Sequence, residues 1–390
     1  MKEKLIKGAA AVLNIVYGIF KLLPVQRKIT YISRQSNTLP VDFGLVIQEM
    51  ERRHLEYQTV VLIRMIGEGI CGKIGYCLHI FRQMYHIATS EMVVLDTYCI
   101  AVSLLRQRDS LIVVQMWHAL GAMKKFGYSI LDKEEGTKRS LAEAMQMHKN
   151  YTYVFTSSEF CAPFFAEAFH VSARKMVVMP LPRLDLLKDV EYVENIKEHI
   201  YSRYPQLLEG EKEILVYAPT FRKEGGNFEE ESLKLAAEKL ASVIDHSRYQ
   251  LVVKFHPLSN IVLRDSSVLQ DWEFSTIDFC QIADAVILDY SAVMFEVALL
   301  GKPMYFYTFD YDSYMESRDV YIDFRKYIPG VITGEAQKLA EAIEHHDSDA
   351  GQQETFRDRM VSPSRSGSYT RDAADFFEKV LAERRQRERR

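Results

Sequence analysis

Short, nearly continuous apolar runs alternate along the chain with segments of helical spacing. The runs at residues 28–33, 57–63, 92–95, 111–116, 151–156 and 175–179 have strand character, and a second series follows at 213–217, 249–255, 285–288 and 304–307. Strands apolar on both faces and separated by helices predict parallel sheets covered on both sides. The charged stretch 188–212 lacks strand character and is read as the connection between the two series. The predicted fold is therefore α/β, with two Rossmann-like domains facing a central cleft. Ligands of this class bind beyond the carboxyl ends of the strands. The expected divisions are an N-terminal amphipathic helix at 1–27, a first domain at 28–205, a second at 206–371, and a C-terminal helix with a basic tail at 372–390.

Residues 1–27 follow a different pattern. Lys7, Asn14 and Lys21 recur every seven positions and share one helical face, with Leu5, Ala9, Val12, Val16, Ile19 and Leu23 opposite. The apolar stretch between Lys7 and Lys21 falls short of the roughly 20 residues a spanning helix needs. The pattern fits a helix lying in a membrane interface with its lysines near anionic headgroups, and the basic flanks favour that reading. It also fits an amphipathic helix packed on its own protein. A signal peptide is disfavoured, because Leu22-Leu23-Pro24-Val25 leads into a strand without a small-residue cleavage site. The tail bearing Arg384, Arg385, Arg387, Arg389 and Arg390 reads as a solvated, frayed end, or as a contact with an anionic surface.

Composition narrows the classes. At 390 residues the chain exceeds one ordinary core. With 48% hydrophobic and 26% charged residues it is a folded globular protein. A net charge of −4 argues against nucleic acid as the main partner. The five cysteines are scattered and form no CxxC pair, so no disulfide framework or cysteine zinc site is expected. A reducing, cytoplasmic setting fits. No metal site and no cofactor is assigned; Asp310-Tyr311-Asp312 mimics the DxD of metal-dependent sugar transferases, but a three-residue pattern is easily met by chance.

Candidate chemistry centres on residues 283–296, ADAVILDYSAVMFE. A strand, a polar turn and a helix start place backbone N–H groups where a phosphate can sit. Ser291 would cap that helix or bond a phosphate oxygen, and Glu296 would accept from ribose hydroxyls; plain capping by Asp289 and Ser291 is the alternative. His118 and His256 each follow a strand, one in each half, and a neutral imidazole there can take a proton from a hydroxyl. His148 and His170 lack that placement and read as surface residues. After His118, Gly121 and Gly127 would let backbone approach a ligand, and Lys124 and Lys125 would neutralise phosphate. Thr220 and Arg222 end a strand and could touch an anion. Arg183 is either a ligand contact or half of an internal link to Asp185. Ser157 and Ser158 read as a helix cap.

These stretches, in order, resemble one family. Residues 115–127 (QMWHALGAMKKFG), 156–159 (TSSE), 182–185 (PRLD), 217–222 (YAPTFR), His256-Pro257, 284–296 (DAVILDYSAVMFE) and the block around 302–321 are similar to the CDP-glycerol glycerophosphotransferases of wall teichoic acid synthesis. The resemblance covers about residues 28–330. It implies a glycosyltransferase-B-type fold at the cytoplasmic face of the membrane. It also implies transfer of glycerol phosphate from CDP-glycerol to a polyprenyl-diphosphate-linked saccharide acceptor, with CMP released. On that analogy His118 is the general base and His256 lies by the donor diphosphate. Asp289, Ser291, Glu296, Thr220, Arg222, Arg318 and Lys254 belong to the donor side, and Trp117, Gly121, Lys124 and Arg183 to the acceptor side. Trp117-His118-Ala119-Leu120 departs from the Trp-His-Gly-Thr-Pro of many chain-extending members and looks more like the primase branch. Ribitol phosphate transfer, poly(glycerol phosphate) extension and a non-catalytic nucleotide-binding scaffold are the alternatives.

Overall fold

The computed structural model describes every residue except Met1, Glu68, Glu134, Glu135, 222–226, Pro257, Leu258, Arg318 and Arg390. The chain divides into two compact units, Met1–Asp185 with Ser362–Arg390, and Leu186–Val361. Each is built on a six-stranded sheet.

The first sheet holds β1 (Gln26–Ser33), β2 (Gln58–Ile63), β3 (Ser90–Leu95), β4 (Ile112–Gln115), β5 (Tyr153–Thr156) and β6 (Met176–Val178). Its strand order is β2-β1-β3-β4-β5-β6, with all pairs parallel. All six residues of β3 are buried, as the apolar run demands of a central strand covered on both faces. The chain reverses its direction of travel across the sheet between β1 and β3, which opens a crevice beyond their carboxyl ends.

The second sheet holds β7 (Glu213–Ala218), β8 (Tyr249–Val253), β9 (Val268–Gln270), β10 (Ala285–Leu288), β11 (Met304–Tyr307) and β12 (Ile332–Thr333), in the order β12-β11-β10-β7-β8-β9, again all parallel. Here the reversal lies between β7 and β10. The edge strands β9 and β12 are absent from the sequence reading; three and two residues carry no readable alternation.

Four expectations need correction. The boundary falls after Asp185, not near residue 205, and the stretch read as a strandless connection begins the second unit with the helix Val190–Arg203. The C-terminal helix, Tyr369–Arg389, belongs to the first unit. Asp185 secures its start: the Ser368 hydroxyl donates to the carboxylate at 2.7 Å, and the N–H groups of Tyr369 and Thr370 at 2.8 and 2.9 Å. Among the described residues Arg183 pairs with Asp42 instead of the expected Asp185. Farther along, Arg384 is buried, donates to the Ser110 carbonyl at 2.6 Å and pairs with Glu91 at 3.4 Å, so the basic segment begins as an anchored helix and not as a frayed end.

The helix Lys2–Phe20 packs Asn14 and Tyr17 against its own unit, while Lys7 stays exposed. Asn14 bonds the Leu104 carbonyl and the Arg106 N–H, Lys21 donates to the Arg106 carbonyl at 2.9 Å, and Tyr17 is buried. Leu5, Val12, Ile15, Ile19 and Leu22 stay exposed, at 61–84%.

Candidate functional site

The first unit carries a cavity of about 560 Å³, lined by residues that include Arg34, Thr97, Tyr98, Trp117, His118 and His148. Arg34 follows β1, Thr97 and Tyr98 follow β3, and His118 follows β4. The cavity thus sits at the crevice that the reversal of strand order creates.

Local sequence explains how His118 reaches it. β4 ends at Gln115, whose buried side chain spans to the next loop by donating to the Thr97 carbonyl at 2.9 Å and accepting from the Trp117 N–H at 2.9 Å. Trp117 then adopts φ +62°, a left-handed conformation that costs a non-glycine residue about 1–3 kcal/mol. Its indole stacks on Phe126 at 5.1 Å and lies over the His118 ring at 4.0 Å. The ring's Nδ1 is 2.9 Å from the Asp96 carbonyl oxygen. A carbonyl only accepts, so in the neutral imidazole Nδ1 carries the proton and Nε2 the lone pair. Burial lowers the His118 pKa from its ordinary value; the Asp96 bond opposes this and the Arg183 charge reinforces it. The imidazole is therefore neutral near pH 7, with its basic nitrogen fixed.

Arg183, expected on the acceptor side, has partners within the first unit. Its guanidinium pairs with Asp42 at 3.1 Å and donates to the His118 carbonyl at 2.8 Å, while its own N–H donates to Asp42 at 2.8 Å. Burial raises the Asp42 pKa against the pull of that arginine. Arg183 braces the loop that presents His118. Gly121 is buried, Lys124 and Lys125 are half-buried, and none of the three lines the cavity. Gly127 does line it, but at φ +59° with space for a Cβ blocked by the Ala168 carbonyl at 2.3 Å, so backbone geometry already requires glycine. Next to His118, Asp96 has its carboxyl pKa raised by burial to about 6, with one oxygen accepting from Ser33 at 2.8 Å and the other unpaired among the described residues.

In the second unit the expected donor residues separate into two groups. Asp289 is fully buried, and its carboxylate accepts from the Thr220 N–H at 2.9 Å, the Thr220 hydroxyl at 2.6 Å and the Tyr290 N–H at 2.5 Å. It ties the loop after β7 to the loop after β10, across the point where the strand order reverses. The buried carboxylate shapes this turn from beneath. Ser291 is half-buried, with its hydroxyl 3.4 Å from the Val293 N–H. The helix that follows, Met294–Leu300, has seven residues and starts later than expected. The Met294 and Phe295 N–H groups are already taken by the Ser291 and Ala292 carbonyls, at 3.2 Å each. Glu296 lies half-buried in its first turn.

Lys254 is the clearest correction. It is 4% exposed, ion-paired with buried Asp271, and donates to the carbonyls of Asp271 and Phe274 at 2.9 and 2.7 Å. All three ammonium protons are committed inside the protein, leaving none for a donor phosphate. His256, by contrast, is exposed and tilts over Phe221 at 5.1 Å, and what burial it has lowers its pKa. Arg222 and Arg318 lie outside the described residues. A cavity of about 510 Å³ beyond β11 and β12, lined by Asp310, Asp312 and Arg325 among others, was not anticipated. Asp310 accepts there from the buried Tyr290 hydroxyl at 3.2 Å.

A profile of the CDP-glycerol:poly(glycerophosphate) glycerophosphotransferase family matches residues 15–371. The chain belongs to this family. As a glycerophosphotransferase-family member it is 32% identical over 388 residues to the teichoic acid ribitol-phosphate primase of Bacillus spizizenii, covering 98% of this chain and 99% of the relative. It is 27% identical over 351 residues to the teichoic acid glycerol-phosphate primase of Bacillus subtilis, covering 86% and 89%. Its fold is that of the wall teichoic acid polymerase TagF, with a TM-score of 0.71 at 19% identity over 98% of this chain and 97% of that one. The transferase accordingly takes its place among the enzymes of teichoic acid biosynthesis.

Sequence reading missed three residues around His118. Arg34 and Asp96 each follow a strand, the same placement that singled out His118, and that signal was there to use. His148 had none. It was read as a surface residue, but it is 4% exposed, its Nδ1 lies 2.9 Å from the Tyr151 hydroxyl, and burial lowers its pKa to about 3. Its place in the cavity wall depends on packing against Phe169 and Tyr98, which no local pattern encodes.

Proposed function

We propose that this transferase moves a polyol phosphate from its CDP-activated form to a hydroxyl of a polyprenyl-diphosphate-linked acceptor. His118 Nε2 takes the hydroxyl proton, and the resulting oxygen attacks the phosphorus that bears the polyol. The bond from that phosphorus to the bridging oxygen breaks, and CMP leaves with the electron pair. The observation that carries the reading is the neutral, tautomer-fixed His118 beside a cavity at the sheet's crevice. The protein's contribution is positioning plus charge stabilisation, as in phosphoryl transfer generally. On the donor side, among the described residues, the turn at Ser291 and the exposed His256 have polar atoms to offer. A diphosphate beside His256 would draw its pKa back up and favour donation to the leaving group.

Two donors are in question. The family description and the glycerol-phosphate primases favour CDP-glycerol; the end-to-end match with a ribitol-phosphate primase favours CDP-ribitol. Incubation with each donor and short lipid-linked acceptor analogues, read by mass spectrometry, should show a single polyol phosphate added from one of them. No transfer from either, with CDP still bound, would leave the scaffold reading.

We also propose that the first unit rests on an anionic membrane surface. Among the described residues no helix is long and apolar enough to cross a membrane. The exposed apolar stripe of the helix Lys2–Phe20 is joined by Ile74, Leu78 and Phe81 on the helix Gly69–Ala88, and Phe20 meets Tyr85 edge-on at 6.0 Å between the two. Ile15→Glu with Ile19→Glu should abolish co-sedimentation with phosphatidylglycerol vesicles without changing the melting temperature. Undiminished sedimentation would remove this face as the contact.

A further inference from the structure

The second unit's cavity of about 510 Å³, beyond the carboxyl ends of β11 and β12, is not used by the chemical step. Its wall includes Thr308, Asp310, Asp312, Arg325 and Thr333. Thr308 follows β11 directly and is 4% exposed. Its N–H donates to the Thr333 carbonyl at 2.9 Å, and its carbonyl accepts from the Tyr311 N–H at 3.2 Å. Among the described residues its hydroxyl has no hydrogen-bond partner. A buried hydroxyl is costly to leave unpaired, so this one, in the cavity wall, is placed to bond whatever enters.

The charges disfavour a phosphate there. Two carboxylates, Asp310 and Asp312, stand against one guanidinium, Arg325, which already lies over the Tyr311 ring at 4.0 Å. An anion would meet net repulsion. A chain of alcohol groups would not: carboxylates accept from its hydroxyls, and a threonine hydroxyl both donates and accepts. Asp312 is exposed and makes no ion pair among the described residues. The cavity's position says which chain of alcohols. β11 pairs with β10 in parallel, and the hydroxyl of Tyr290, the residue before Ser291, donates to Asp310 at 3.2 Å. The cavity is therefore one strand over, about 5 Å, from the turn at Ser291.

We infer that this cavity receives the polyol of the CDP-activated donor, that Thr308 and Asp312 bond its hydroxyls, and that it favours a five-carbon polyol over glycerol. This rests on the proposed transfer reaction and adds the class of its donor. Glycerol phosphate brings two free hydroxyls and a pentitol phosphate four, and a cavity of this volume with polar groups from both loops gives the additional pair partners. Thr308 and Asp312 set donor specificity and take no part in the chemical step.

The test uses the full chain and calorimetry without acceptor, with CDP-ribitol, CDP-glycerol and CDP as probes. Wild type should bind CDP-ribitol about 10-fold more tightly than CDP-glycerol, as two further hydrogen bonds allow. Thr308→Val and Asp312→Asn should each cut that preference to about 3-fold or less, with affinity for CDP itself within about 2-fold of wild type. CDP-glycerol binding as tightly as CDP-ribitol, or a preference that persists in both variants, overturns the assignment and leaves the transfer reaction standing. Failure of all three probes to bind overturns both. Turnover separates them from the other side: with a lipid-linked acceptor, Thr308→Val should raise KM for CDP-ribitol far more than it lowers kcat. A fall in kcat alone, equal for both donors, would mean a structural role and would overturn the assignment. A wild type that keeps the binding preference and transfers from neither donor would overturn the transfer reaction alone.

Discussion

His118→Ala should lower turnover by about 100- to 10,000-fold, the range expected for loss of a positioned general base. CDP affinity should stay within about 2-fold, because the imidazole belongs to the first unit and its contacts, Asp96, Trp117 and Arg183, all lie there. Steady-state transfer from a CDP-polyol beside calorimetry with CDP reads both quantities. Near-normal turnover would sink the base assignment. A second reading comes from pH. In the proposed role His118 works only when unprotonated, and burial holds its pKa below the ordinary histidine value. The acid limb of kcat/KM should therefore fall at a pH below 6.5, the unperturbed value, and the wild-type enzyme should keep most of its activity down to that point. An acid limb above 6.5 would mean that the group being titrated is not the neutral, buried imidazole seen here.

What the sequence made legible was mostly what strands dictate. β10 and β11 fall on the runs expected of them, since four consecutive buried residues leave the pattern little freedom. The carboxyl ends of strands likewise pointed to His118 and to Thr220 and Asp289, because parallel sheets put functional loops there. What stayed hidden was direction. Asp289, Lys254 and Arg183 are polar groups at the right strand ends, but each turns its charge into the protein, toward Thr220, Asp271 and Asp42. Sequence position fixes where a side chain begins; the partner that satisfies it comes from elsewhere in the chain, 69, 17 and 141 positions away in these three cases. The same limit hid the return of the last helix to the first unit. That return depends on Asp185 meeting Ser368, Tyr369 and Thr370, a long-range contact without a local signature.

Lys254→Met tests that lesson by stability. The ammonium sits among the Asp271 carboxylate, the Asp271 and Phe274 carbonyls and the face of Phe279, 5.1 Å from the ring centroid. Asp271 is 1% exposed and also accepts from the Tyr204 hydroxyl at 2.7 Å and the Phe274 N–H at 3.0 Å. Burial alone would raise its pKa, but the bonds from Lys254 and Tyr204 outweigh that and hold it below its usual value, so the group is a carboxylate. Removing the lysine leaves that charge buried with only neutral donors. Breaking one side of a buried pair costs about 3–5 kcal/mol, which for a unit of this size lowers the melting temperature by roughly 10 °C. The sign of the pH dependence follows. A carboxylate depressed in the native state stabilises the protein above its unfolded pKa, and this contribution is lost as pH falls through the native value. In Lys254→Met the depression disappears, so the deficit against wild type should be largest near neutral pH and shrink in acid. Adding Asp271→Asn should recover part of the loss, because the amide oxygen can still accept from the Phe274 N–H while the amide NH2 donates to the Tyr204 hydroxyl oxygen, and the uncompensated charge is gone. If Lys254 bound the donor instead, Lys254→Met would weaken CDP binding and leave the melting temperature within about 2 °C of wild type. A buried, fully bonded ammonium predicts the reverse: a large thermal shift, with CDP affinity per folded molecule nearly unchanged.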